Sequence, residues 1–195
     1  MIRSHLAAEV TTENGMFPVY VHTIEHPDGL VLVDTGMIDS TPELDAEWGP
    51  VPHPLPEELV ERVSLVINTH LHFDHCGGNR VFRGMPIHVQ ARELEDARTL
   101  PHYTITEWVD FDGASYVEHD GEAEVLPGVR LLPAPGHTAG HQVVLVETGD
   151  GPVVLGGDVA YTFDELAQGK TEGQRRVLAL GAPTWLAHTN GSRVP

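Results

Sequence analysis

Cysteine is nearly absent. Cys76 is alone in 195 residues, which excludes an intrachain disulfide framework and suits a reducing compartment. Cations are scarce as well: 11 Lys plus Arg stand against 29 Asp plus Glu, a formal charge of −18 with histidine neutral. A field of that sign repels phosphate backbones and anionic membrane surfaces, so neither a nucleic acid nor a membrane is an expected partner. No apolar run reaches the roughly 18 residues a membrane span needs. The opening Met1-Ile2-Arg3-Ser4-His5-Leu6 lacks the long apolar stretch of a secretory signal. Tandem repeats and low-complexity tracts are missing too. These absences predict a soluble, cytoplasmic protein. With 41% hydrophobic content the chain is long enough for one compact domain over residues 1–195.

Short apolar, β-branched runs at 18–21, 30–33, 65–67, 129–132, 142–146 and 152–155 are bounded by Gly, Pro, Asp or Asn, and read as strands. Helix-like stretches lie at 55–63, 78–82, 91–98 and 171–180. Pro56 is placed to open the first of these. The segment 99–120 is polar, aromatic and weakly periodic, and reads as a surface excursion. Strands interspersed with helices indicate an α/β or α+β protein, without choosing the topology.

What the chain has in excess is histidine, 13 residues in all. Three cluster in Ile67-Asn68-Thr69-His70-Leu71-His72-Phe73-Asp74-His75-Cys76-Gly77-Gly78-Asn79, directly after an expected strand. On a helix His70 and His72 would point apart, since one face repeats every three or four residues. On a curled loop they can share a metal while Asp74 and His75 turn to a second, with Gly77 and Gly78 expected to permit the tight turn. So many polar donors would be costly to bury without a compensating cation. Further donors follow later strands: His137 in Pro135-Gly136-His137-Thr138, Asp158 in Gly156-Gly157-Asp158, and His188 after Thr184-Trp185-Leu186-Ala187. Ligands supplied from several strand ends make an organised site.

The order His70-x-His72-x-Asp74-His75, His137, Asp158, His188 resembles the metallo-β-lactamase superfamily. Asp34 in Leu32-Val33-Asp34-Thr35-Gly36 matches its early acidic turn, and the likeness runs from about Tyr20 to His188. A narrower match is visible in 33–37, 69–79, 134–142 and Gly157-Asp158-Val159-Ala160-Tyr161, which look like the N-acyl-homoserine lactone lactonases. Two departures stand out. Thr189 follows His188 where the family usually has Asp. The stretch before Met16 and the 159–187 interval are both short, which predicts an open pocket.

The resemblance implies an α+β fold of the αββα sandwich type: two mixed β-sheets packed face to face, helices outside, and a dinuclear metal site at one edge. It implies two divalent ions, with Zn²⁺ suited to the donors. His70, His72 and His137 would hold one, Asp74, His75 and His188 the other, and Asp158 would bridge both. Asp34 would accept from a ligating imidazole. His141 would hydrogen-bond locally and orient the 134–142 loop, and Cys76 would pack without binding metal. The implied activity is opening of the lactone ring of N-acyl-homoserine lactones, which would quench quorum sensing. A metal-bridging hydroxide would attack the carbonyl, Tyr161 would donate to the oxyanion or to the substrate amide, and Asp74 would pass a proton to the leaving alkoxide. The expected partner is a small molecule, a lactone or related ester, and a homodimer is compatible with the sequence. Alternatives on the same site are a glyoxalase II-like thioesterase, another esterase or a phosphotriesterase. Lys170, Arg175, Arg176 and Arg193 are the few cations available late in the chain to a glutathione thioester.

Overall fold

The computed structural model describes residues 1–12 and 15–195. The first sheet begins with β1 (Ile2–Thr12), β2 (Gly15–His26) and β3 (Gly29–Val33), an antiparallel meander. It continues in parallel through β5 (Val63–Ile67), β6 (Ile87–Gln90) and β7 (Tyr116–His119), with β4 (Val51–Pro52) on the far edge of β1. The second sheet runs β13-β12-β11-β10-β9-β8. Its members are β8 (Ala123–Leu126), β9 (Val129–Pro133), β10 (Gln142–Thr148), β11 (Gly151–Leu155), β12 (Thr184–Trp185) and β13 (Ser192–Arg193). All pair antiparallel except β11 with β12.

The strand runs are apolar on both faces because both faces are covered. Val31 and Val33 of β3 point inward to meet Val129, Leu131, Val144 and Val146 of the opposite sheet. Leu30 and Leu32, the alternate residues, pack outward with Leu55, Leu59 and Val60 around α2 (Glu57–Val60). On the far side Leu132, Val143 and Leu145 turn outward to α6 (Phe163–Leu166) and α7 (Glu172–Leu180). The period of two thus divides each strand between an inter-sheet core and a helix-covered layer, giving the expected αββα sandwich.

Several local expectations change. The helix-like stretch 55–63 shrinks to the single turn of α2, because Val63 already belongs to β5. At 78–82 there is a 3₁₀ turn, Asn79–Val81. Segment 99–120 lies at the surface, as expected, but is anchored: α5 (Thr106–Val109) buries Trp108 and Val109, and β7 joins the first sheet. α1 (Pro42–Glu47), capped by Thr41, and strands β1, β6, β7 and β8 carry too much polar interruption to read as elements.

The topology also fixes the edge where chemistry can collect. β3, β5 and β6 run parallel, as do β11 and β12, and β9 and β11 both oppose β10. The segments after β3, β5, β6, β9, β11 and β12 therefore emerge at one end of the sandwich. Gln142 stitches the sheets there, its N–H donating to Thr69 O at 2.9 Å and its Nε2 to Asn68 O at 2.8 Å.

Candidate active site

Each of the seven ligand candidates leaves a strand at that end. His70 and His72 follow β5, and His72 caps α3 (Phe73–Cys76), which carries Asp74 and His75. His137 follows β9, Asp158 follows β11 and His188 follows β12. The backbone at Gly77 and Gly78 has φ of −60° and −87°, which any residue adopts, so a tight turn is not why glycine stands there. Space is the reason: a Cβ on Gly78 would lie 2.5 Å from Thr35 O, and one on Gly77 2.9 Å from the Trp108 ring.

Nitrogens of His70, His72 and His137 lie within 4.8 Å of one another, and His70, His75 and Asp158 form a second group at the same spacing. His72 Nδ1 is 3.0 Å from His137 Nε2. Asp158 stands between the two sides: its Oδ1 is 3.3 Å from His75 Nε2 and 3.1 Å from His188 Nε2, its Oδ2 3.6 Å from His137 Nε2. Asp74 Oδ2 is 3.7 Å from His75 Nε2.

The hydrogen bonds around this cluster decide which ring nitrogens face inward. Asp34 adopts a left-handed φ of 60°, which Asp tolerates better than most residues. Its carboxylate accepts from Thr69 N and Thr69 Oγ1, both at 2.7 Å, and lies 2.9 Å from His75 Nδ1. His75 therefore carries a proton on Nδ1 and turns Nε2 inward. The Thr69 hydroxyl hydrogen is spent on Asp34, so toward His70 Nδ1 at 3.2 Å it can only accept. His70 Nε2 is then unprotonated. His188 Nδ1 donates to Pro18 O at 2.8 Å, and its Nε2 faces both Asp158 oxygens, 3.1 Å from Oδ1 and in hydrogen-bond contact with Oδ2 at 3.2 Å. Ring nitrogens and carboxylate oxygens thus converge, and buried His70 Nε2, His75 Nε2 and Asp158 Oδ1 lack an aligned hydrogen-bond partner among the described residues. Such a donor set fits divalent cations, which would neutralise it and accept the lone pairs.

The proton equilibria carry the same strain. Burial, and then His75, holds His70 well below the usual histidine range, and burial pushes His137 down to about 3. Burial would lower His75 and His188 as well. For His75 the nearby Asp158, Asp74 and Asp34 charges outweigh it and raise the ring well above its ordinary value, and for His188 Asp158 does the same. Asp158 is held well below the carboxylate range, His188 and His75 outweighing its burial.

The cluster floors a cavity of about 700 Å³. Val10, Phe17, Leu44, Trp48, Phe73 and Ile105 give it apolar walls, and Glu43 and Glu47 of α1 give it an acidic rim. Val10 of β1 and Phe17 of β2 are among these walls. Tyr161 reaches in, its ring 5.7 Å from His137 and 5.2 Å from His188. Burial and then Asp158 raise its phenol to about 12, so it stays a donor at neutral pH. The backbone carbonyl of His141 accepts from Ala134 N at 2.7 Å, but the buried His141 ring lacks an aligned hydrogen-bond partner among the described residues, contrary to expectation. Cys76 packs in a core with Leu71, Val89 and Leu94, and burial raises its thiol to about 12. Sequence reasoning missed the apolar walls, which come from unrelated segments. It also missed Glu93 and Tyr103; a buried glutamate early in a helix-like stretch gives no periodic signal.

Known proteins resemble this chain in sequence and in fold. An N-acyl homoserine lactonase of Bacillus sp is 38% identical over 164 residues, covering 74% of this chain and 65% of that protein. One of Bacillus cereus is 35% identical over 180 residues, covering 82% and 71%. The chain thus spans about two thirds of the length of these relatives. A crystal structure of a quorum-quenching N-acyl homoserine lactone lactonase superposes with a TM-score of 0.81 at 25% identity, covering 96% of this chain and 91% of the other. Another, of an N-acyl homoserine lactone hydrolase with the product N-hexanoyl-L-homoserine at its catalytic metal centre, gives 0.78 at 25% identity with the same coverage. The profile of the metallo-beta-lactamase superfamily matches residues 14–183, and the chain belongs to that superfamily.

Proposed function

We propose that this protein is a dinuclear metal-dependent hydrolase that opens the lactone ring of N-acyl-homoserine lactones. In this reading His70, His72 and His137 hold one ion, Asp74, His75 and His188 the other, and Asp158 both. The observation that carries it is the inward convergence of imidazole nitrogens on Asp158 at the floor of an apolar cavity. When bound, a pair of divalent ions supplies Lewis acidity and lowers the pKa of water toward neutrality. Imidazole and carboxylate donors suit Zn²⁺.

The chain's own groups do the rest. Phe17, Leu44, Trp48 and Ile105 offer apolar surface to an acyl chain, worth about 0.8 kcal/mol per buried methylene. Tyr161 is a neutral phenol at the cavity floor, suited to donate to the lactone carbonyl oxygen as negative charge develops there. Hydrolysis adds water across the ring ester bond, giving a carboxylate and an alkoxide that must gain a proton. Asp74, beside His75 and lining the cavity, is the residue positioned to deliver it. The product is an N-acyl-homoserine, so the activity would silence a bacterial signal. A lone, buried cysteine is in keeping with a reducing cytoplasm.

A glutathione thioester is disfavoured because, among the described residues, no Lys or Arg lines the cavity, and Glu43 and Glu47 would repel its carboxylates. Arg175 and Arg176 donate to backbone carbonyls, and Arg193 lies over Phe163. The acidic rim equally opposes nucleic acid. The test is a substrate panel on metal-quantified protein: short- and long-chain N-acyl-homoserine lactones, S-lactoylglutathione and an aryl phosphotriester. Proton release with the lactones, faster as the acyl chain lengthens, is expected. Turnover confined to the thioester would overturn the lactonase reading.

A further inference from the structure

We propose that Glu93 is a positioning residue that fixes the spacing between the His70–His72 loop and the His137 loop, and through it the affinity of the ion held there. The proposal rests on the two-metal reading above. Glu93 lies in the first turn of α4 (Ala91–Thr99), directly after β6, and is fully buried. A buried carboxylate is costly unless donors replace its water, and among the described residues no Lys or Arg pairs with it.

Three donors satisfy it, each from a segment bordering the candidate ligands. Leu71 N, between His70 and His72, donates to Oε1 at 2.8 Å. The Thr138 hydroxyl, next to His137, donates to Oε2 at 2.6 Å. The Tyr103 hydroxyl donates to Oε1 at 2.5 Å, and its ring lies 5.1 Å from that of His72. Burial, and then the Glu93 charge, pushes the Tyr103 phenol up, so it remains a donor.

A separate contact points the same way. A Cβ on Gly140 would fall 2.3 Å from Glu93 N and 2.5 Å from Glu93 Cα, so the 134–142 loop rests on the backbone of Glu93 itself. Glu93 thereby holds one loop from below and ties both loops through its side chain. The outcome is the 3.0 Å approach of His72 Nδ1 to His137 Nε2. Filling space alone would not need a charge, whose burial carries a desolvation cost. A carboxylate with donors on two ligand-bearing loops is what holding their separation requires.

The experiment is a competitive Zn²⁺ titration of metal-free protein against a chromophoric chelator, with circular dichroism melts to confirm folding. Wild type should take two ions. Glu93→Gln should bind one of them roughly 10- to 100-fold more weakly and leave the other unchanged. In a His72→Ala background Glu93→Gln should add no further loss, and in a His188→Ala background it should add its full loss. Thr138→Val removes one of the three bonds and should weaken the same ion by less. It also serves as the test if Glu93→Gln does not fold. Equal weakening of both ions, coupling to His188 instead of His72, or unaltered affinities would overturn the proposal. Wild-type protein that takes up no zinc would instead overturn the two-metal reading, and this inference with it.

Discussion

Two buried carboxylates organise the site, and they work differently. Asp34 touches ligands' hydrogen-bonding atoms on both sides, His75 Nδ1 directly and, through Thr69, Nδ1 of His70 in the His72–His137 group. It decides which nitrogen of each ring carries the proton. On the His137 side, Glu93 touches no imidazole nitrogen and instead accepts from Leu71 N, Thr138 and Tyr103. It decides how far apart the loops stand. One carboxylate sets chemical state and the other sets distance, so a metal centre can fail in two ways while every ligand is still present.

Removing what both sides share should have the largest effect. Asp158→Ala takes away the oxygen pair between His75, His188 and His137. We expect turnover to fall by more than about 10³-fold and bound metal, measured by elemental analysis, to drop below two ions per chain. Full metal content with near-normal turnover would mean that the sides do not meet at Asp158.

Tyr161 overlooks both sides without belonging to either. Tyr161→Phe should lower kcat by about 10²-fold with KM little changed, and both ions should stay bound. A loss confined to KM would assign the phenol to binding the acyl-homoserine lactone rather than to the reacting carbonyl.

Asp34→Asn sharpens the contrast directly. An amide cannot accept from His75, Thr69 N and Thr69 Oγ1 together as the carboxylate does, so affinity for the ion on the His75 side should fall roughly 10- to 100-fold, with a smaller loss at the His70 side through Thr69, while the overall fold persists. If instead the His72–His137 side weakened first, the division of labour between Asp34 and Glu93 would be wrong.

The smallest effect concerns His22, beside the Asp34 strand in register with Val33. Burial lowers this histidine from 6.5 to about 4. The unfolded chain therefore binds the extra proton first, and stability falls as pH drops from 6.5 toward 4, with no contribution above that window. His22→Gln should remove this dependence. The stability lost by wild type between pH 7 and pH 5 should shrink by about 2 kcal/mol in the variant, measured by urea denaturation at each pH.

The seven ligand candidates were legible because metal chemistry demands particular side chains, and short spacings such as His70-x-His72-x-Asp74-His75 are visible in one dimension. Asp34 was legible for the same reason, standing in a recognisable turn directly after an apolar strand. Glu93 was not, because nothing in Gln90-Ala91-Arg92-Glu93-Leu94 distinguishes a glutamate on a solvated helix face from one buried under two loops. The anchoring of segment 99–120 was not legible on similar grounds. It depends on where Trp108 and Val109 land, not on any repeat.

Composition and strand alternation were enough to determine a mixed α and β class, and the order of histidines and aspartates pointed, through a family resemblance, to the layered fold and a candidate ligand set. Those features depend on local periodicity and on residue chemistry, both written along the chain. Tertiary structure alone decided that the segments after six strands open at one end, that Asp34 reaches Thr69 and Glu93 reaches Thr138, and that apolar residues from β1, β2 and α1 wall one cavity. These are matters of distance between segments remote in sequence. Distance is set by how the two sheets pack, which no short stretch of sequence specifies.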